Sequence, residues 1–216
     1  MTSTLAPPAP IVTIADLLDR LGGIEPGRVR FNPIPGTATE KDVLLIESQE
    51  NRLFELVDGA LVEKVMGYRE SVPAVVLATA LQTFVAARKR GLVSGPDGMM
   101  RLFPGLVRIP DVAFVSRERL PNGIPKDPIP DLVPDLAVEI LSESNTPREM
   151  ARKRGEYFDA GVRLVWFVDP DSRTVVVYTG PEQSRVLTED QTLDGDPVLP
   201  GFSLVLKTLF AELDAV

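Results

Sequence analysis

Two acidic residues stand where strand-like segments should be apolar. In Ile109-Pro110-Asp111-Val112-Ala113-Phe114-Val115, Asp111 follows a proline at the head of an apolar run. In Pro134-Asp135-Leu136-Ala137-Val138-Glu139-Ile140-Leu141, Glu139 lies inside the most hydrophobic segment of its kind in the chain. A charge placed there is costly unless it is paired or holds a metal. Two carboxylates brought together raise each other's pKa, whereas a divalent cation between them keeps both ionised. Hard oxygen ligands suit Mg²⁺ or Mn²⁺, which keep several waters and accept a phosphate oxygen. Lys153 lies one turn or so into a helix opened by Thr146-Pro147-Arg148-Glu149, from which it can reach back over the strand ends to an attacking water or a non-bridging oxygen. Arg148, Arg152 and Arg154 share that helix, the first two on one face.

Each of these residues also has a structural reading. Asp111 can cap a turn, Glu139 can pair with Arg152 or Arg108, and Lys153 can pair with Glu149 four residues earlier. The arginines can form a solvated helix face, and Tyr157, Phe158 and Trp166 read most simply as packing residues.

The chain has no cysteine and no histidine. That removes thiolate zinc sites, disulfides, Ser-His and Cys-His triads and imidazole bases, leaving carboxylates, lysine, tyrosine, hydroxyls or an oxygen-bound metal for any catalysis. The 23 basic and 31 acidic residues give a net charge of −8, so the overall field repels phosphate and no basic coat for nucleic acid exists. With 44 % apolar and 25 % charged residues over 216 positions, the chain is expected to form one sizeable core. Met1–Pro10 lacks the basic-then-apolar order of a signal peptide, and Val72–Ala87, its most apolar stretch, spans 16 residues where a membrane crossing needs about 20. A cytoplasmic protein without a membrane partner is the expectation.

The elements that must position these groups follow in order. After a proline-rich tail at Ala6–Pro10, Thr13 with Asp16 caps a short helix ending at Gly22-Gly23, and Thr39 with Asp42 caps a second. Leu53–Val57 and Ala60–Val65 flank Asp58-Gly59, the signature of a tight hairpin. Glu70–Arg90 reads as a long helix with Val72, Val75, Val76, Leu81, Phe84 and Val85 on its apolar face. Three strands follow, Met99–Phe103, Ile109–Val115 and Asp135–Leu141, the last two separated by a loop with five prolines in the fourteen residues Pro121–Pro134. The capped helix runs from Thr146 to Gly161, and strands follow at Arg163–Val168 and Thr174–Tyr178. Leu199–Leu206 suggests one more edge strand before a short terminal helix. The order helix, three strands, helix, strand is an α/β core.

Asp111 after Pro110, then Glu139, then a lysine resembles the PD-(D/E)XK nuclease superfamily. The wider wording is similar to the "Uma-two" family of restriction endonucleases within it: Phe54-Glu55-Leu56-Val57-Asp58-Gly59, Ile109 to Val115, Pro134 to Ser142, and Trp166-Phe167-Val168-Asp169-Pro170. The resemblance implies an α/β restriction-endonuclease-like core spanning residues 52–216, with the N-terminal helical arm of residues 1–51 packed on it and the β-hairpin. It implies a metal-dependent endonuclease that hydrolyses phosphodiester bonds of DNA, with Mg²⁺ or Mn²⁺ held by Asp111 and Glu139 and completed by the Ile140 carbonyl. The superfamily's lysine two positions after the glutamate is Leu141 here, and in the named family the lysine moves to the following helix. Lys153 then takes the catalytic role. Glu55 matches the family's hairpin glutamate and supports the site, although Arg52 or Lys64 could also simply pair with it. Glu70 falls where relatives often carry histidine. Cutting both strands calls for two sites, which a homodimer would supply. Alanine at 111 or 139 is expected to abolish cleavage and leave folding intact. A nuclease-fold protein that binds without cutting, or a metal phosphoesterase for small substrates, stays open as an alternative.

Overall fold

The computed structural model of the chain describes residues 11–214, so the Ala6–Pro10 tail lies outside the described residues. Two short helices come first, α1 (Ile14–Arg20) and α2 (Glu40–Glu50), both closed by the expected Thr-x-x-Asp capping boxes. Between them β1 (Val29–Arg30) pairs with β3 (Ala60–Glu63), which forms a hairpin with β2 (Phe54–Val57). The two turn residues, Asp58 at φ 51° and Gly59 at φ 71°, are both left-handed, as a two-residue hairpin loop demands. This turn fixes the register: Val57 faces Ala60 and Glu55 faces Val62.

The long helix α3 (Tyr68–Arg88) follows, then β4 (Gly91–Ser94), β5 (Met100–Phe103), β6 (Leu106–Arg108), β7 (Val112–Ser116) and β8 (Leu136–Ile140). Helix α4 (Pro147–Ala160) leads into β9 (Leu164–Asp169), β10 (Thr174–Gly180), β11 (Gln183–Thr188), β12 (Thr192–Gly195), β13 (Leu199–Val205) and α5 (Leu206–Ala211). One sheet has the order β1-β3-β2-β6-β5 and the central one β11-β10-β9-β8-β7-β4, with β12 and β13 as a separate pair. Only β8 and β9 run parallel in the central sheet, with α4 making the crossover. The α/β architecture therefore stands as expected.

Three details differ from the sequence reading. Met99–Phe103 does not join the central sheet; its place beside β7 is taken by Gly91–Ser94. Two apolar residues in four make too weak a signal for a strand, and the chain reaches β7 only because Gly91 lacks a Cβ, which would lie 2.0 Å from the Val115 carbonyl oxygen. On α3 the buried stripe is Ala74, Leu77, Leu81 and Val85, while Val75 is 65 % exposed, so the face is turned from the one expected. The same helix, 21 residues long, is apolar enough by length and composition to span a membrane, yet this stripe packs against Phe114, Leu136 and Trp166 in the main core. Strand β11 buries only Leu187 and shows no alternation, and β12 alternates over just four residues, too few to reveal it.

The arm grips α4. The Thr146 hydroxyl donates to the Gly22 carbonyl at 2.6 Å and accepts from Glu149 N at 3.0 Å. Only this half of the expected capping box forms, because the Glu149 carboxylate turns instead to the Arg28 guanidinium, at 2.8 and 3.0 Å. A Cβ on Gly22, at φ +90°, would lie 2.6 Å from Glu149 N. Gly22→Ala is thus expected to lower stability by more than about 1 kcal/mol in urea denaturation, well beyond an ordinary surface substitution.

Candidate active site

The hairpin brings Glu55 inward on β2, and the two-residue alternation carries Lys64, just past β3, to the same face. Asp111 sits immediately before β7, its N–H donating to the Val138 carbonyl at 3.0 Å, while Glu139 projects from β8. On α4, Met150, Lys153 and Tyr157 form one buried stripe at helical spacing. These three sources meet at one buried point. Asp111, Glu139, Lys153 and Glu55 are each at least 96 % buried, which in the absence of pairing would be prohibitive.

Each charge there is answered. Lys64 Nζ lies 2.6 Å from Asp111 Oδ1 and 3.6 Å from Glu139 Oε2. Lys153 Nζ lies 3.2 Å from both Glu139 Oε2 and Glu55 Oε1. The Tyr157 hydroxyl donates to Glu139 Oε1 at 2.5 Å, and Ile140 N donates to Asp111 Oδ2 at 2.6 Å. Behind them Arg108 donates to Glu55 Oε2 at 2.6 Å and pairs with Glu156, and Ile109 N donates to Glu55 Oε1 at 3.2 Å. Three carboxylates, Asp111, Glu139 and Glu55, thus face three cations, Lys64, Lys153 and Arg108.

The electrostatics sort the two strand carboxylates. Burial alone would raise the pKa of Glu139, but the ammonium of Lys153, then that of Lys64, holds it below its ordinary value. Burial raises Asp111, against the pull of Lys64 and with the like charge of Glu139 adding to it. Glu55 is held well below the usual carboxylate range despite its burial, by Lys153 and then Arg108. Burial, and then the charge of Glu139, pushes the Tyr157 phenol well up, so it stays a donor. The two strand carboxylates are thus shifted in opposite directions, Asp111 up chiefly by its burial and Glu139 down by the two lysines beside it.

Those strands, motifs and spacings lie in a stretch that matches a known family. Residues 41–207, well over half of the chain, match the family described as "Uma2: Putative restriction endonuclease". The chain belongs to the Uma2 family. Its fold is similar to that of a crystal structure titled a putative nuclease belonging to DUF820 from Anabaena variabilis ATCC 29413, with a TM-score of 0.65 and 21 % identity over 74 % of this chain and 91 % of that one. At that identity the likeness speaks for the fold alone. No curated protein matches the sequence.

The family resemblance read from the four motifs therefore holds, and the structure brings Asp111, Glu139, Lys153 and Glu55 of this Uma2 chain into one cluster. The partners differ from the simple pairings the sequence allowed. Lys153 turns away from Glu149 toward Glu139 and Glu55; Glu139 meets lysines rather than Arg152 or Arg108; Glu55 meets Arg108 rather than Arg52. Glu70 lines the same small cavity without joining these bonds. The helix arginines are occupied: Arg148 with Asp19, Arg152 with Asp58 and Glu156, and Arg154 with its guanidinium 4.9 Å from the centre of the Tyr178 ring. Among the described residues no three His, Cys, Asp or Glu side chains gather into a metal cage. Three residues escaped the sequence reading as members of the site, Lys64, Arg108 and Tyr157. Tyr157 could have been found from its place four residues after Lys153, and Lys64 from the hairpin register.

Proposed function

We propose that this Uma2 chain is a metal-dependent DNA endonuclease that hydrolyses phosphodiester bonds at the cluster around Glu139. The observation that carries the reading is that Asp111 and Glu139, on neighbouring strands, aim at one shared cation, the Lys64 ammonium. That ammonium stands where a divalent ion would, and the donors facing it are hard carboxylate oxygens of the kind Mg²⁺ and Mn²⁺ prefer. Asp111 and Glu139 would hold the ion, with the Ile140 carbonyl as the third protein ligand. A bound ion supplies Lewis-acid neutralisation of the phosphodiester and activation of water.

The remaining steps belong to the side chains. Lys153 donates to Glu139 and is ion-paired with Glu55, which leaves it an N–H to offer the attacking water or a non-bridging phosphate oxygen. Glu55, anchored by Arg108, is a positioning residue that fixes the Lys153 ammonium. Tyr157 fixes the rotamer of Glu139 from the opposite oxygen.

The test is supercoiled plasmid incubated with the protein in Mg²⁺ or Mn²⁺ and, separately, in excess chelator. Nicking that requires the metal supports the reading, and its absence at all metal concentrations contradicts it. Lys153→Met is expected to lower the cleavage rate by about 10²- to 10³-fold, the cost of one lost charge-stabilising donor, without weakening Mn²⁺ affinity. An unchanged rate would remove Lys153 from the chemistry.

One observation favours a second reading, a nuclease-fold protein that binds without cutting. Every oxygen of Asp111 and Glu139 already has a donor from the chain itself. Plasmid binding without nicking in either metal would establish it.

A further inference from the structure

Lys64 sits between two cavities of very different size. On one side is the crevice that contains Asp111, Glu139 and Lys153, with a volume of about 10 Å³, room for hardly more than one water. On the other is an open cleft of about 400 Å³ that Lys64 also lines, together with Glu63, Asp97 and Ser71. Within the crevice the Lys64 side chain is 92 % buried and closes the charge balance of the carboxylate pair. A divalent ion added to that balance would place its two charges beside an ammonium less than 4 Å from both ligands, which is strongly repulsive in a buried site.

Resting on the metal-nuclease reading, we propose that Lys64 is the resident cation of the carboxylate pair, and that divalent metal binds by displacing its ammonium into the neighbouring cleft. The geometry supplies each part of the exchange. The four-carbon stem of lysine is flexible, the backbone of Lys64 is tied by its N–H to the Leu53 carbonyl at 2.9 Å, and so only the side chain needs to swing. The receiving cleft is open to water and is lined by Asp97, which meets the charge, and by Glu63, which Arg52 on the same wall already holds through two hydrogen bonds. The exchange keeps the buried carboxylates compensated at every stage, and it couples metal occupancy to the opening of a crevice too small for a phosphodiester. Metal affinity is thereby set below what the two carboxylates alone would give.

Two measurements test this on the full chain. Calorimetric titration of Mn²⁺ into wild type, Lys64→Met and Lys64→Gln is expected to show at least tenfold tighter binding in both variants. Equal or weaker binding in folded variants overturns the proposal and leaves the nuclease reading standing. Absence of binding in wild type and variants alike overturns both. Binding in the variants alone overturns the displacement, since the ammonium would then block the site in the wild type rather than yield it. Should the variants fail to fold without metal, wild type suffices: brief lysine acetylation read by mass spectrometry is expected to spare Lys64 in chelator and to modify it severalfold faster in saturating Mn²⁺. Lys64 labelling unchanged by Mn²⁺ that calorimetry shows to be bound overturns the displacement.

Discussion

Glu139→Gln is expected to lower DNA cleavage by far more than the roughly 10- to 100-fold that loss of a supporting residue around a metal gives, and Asp111→Asn to do the same. Both replacements keep shape while removing a charged oxygen from the proposed ion site. The choice of the amide follows from the structure. The sequence suggested that alanine at either position would spare the fold, but Glu139 accepts from Tyr157 and faces Lys64 and Lys153 in a closed cluster. Alanine would orphan a buried hydroxyl and leave two buried ammonium groups short of a counterion, both costly changes. Glutamine retains an acceptor for Tyr157, so its effect on cleavage can be separated from its effect on folding by comparing rates with urea unfolding curves. Cleavage within tenfold of wild type in either folded variant would remove that residue from the site.

The second large effect is on stability. Arg108 is 97 % buried, bound to Glu55 and Glu156, and its loss leaves Glu55 facing the interior with Lys153 as its remaining ion-pair partner. Arg108→Met is expected to cost about 3–5 kcal/mol, the usual price of stripping one partner from a buried ion pair. At about 2–4 °C per kcal/mol for a chain of this size, the melting temperature falls by roughly 6–20 °C. The pair Arg108→Met with Glu55→Gln should lose less than the sum of the single changes, since the orphaned charge is gone. The pH dependence carries the same signature. The folded-state pKa of Glu55 is depressed, so its stabilisation is complete above its ordinary value of 4.5 and is lost as pH falls through the lower folded value. Glu139 acts in the same sense, and Asp111, whose pKa is raised, acts in the opposite one. Stability of the wild type should therefore decline below pH 4.5, and less steeply in Arg108→Met. A melting temperature unchanged in Arg108→Met would show that the cluster is not a stabilising network.

What could be seen in the chain before its fold was known depended on how local the signal was. Caps at Thr13 and Thr39, the Asp58-Gly59 turn and the Gly161 helix end are decided within four residues, and each is where expected. Asp111 and Glu139 stood out because an acid in an apolar run has few explanations. Lys64 was read only as a residue of the strand Ala60–Val65 that could pair with Glu55, and not as a partner of Asp111 and Glu139. Yet a two-residue hairpin loop forces Leu53 opposite Lys64, and alternation from Glu55 then puts Lys64 on the inner face. Arg28 and Arg108 offered no such route: their partners Glu149 and Glu55 lie 121 and 53 residues away, and only tertiary packing joins them. The edge strand Gly91–Ser94 was masked by the basic run that ends α3, and the rotation of the α3 stripe shows burial choosing the smaller Ala74 over Val75 against a closely packed sheet.

The reading rests most directly on a divalent ion at Asp111 and Glu139, and calorimetric titration of Mg²⁺ and Mn²⁺ into wild type and Glu139→Gln, with plasmid nicking followed on the same samples, measures that. One ion per chain in the wild type, with binding and nicking both lost in the variant, is the expected result. Nicking in the wild type without a bound ion, or an ion bound equally well by Glu139→Gln, would contradict it.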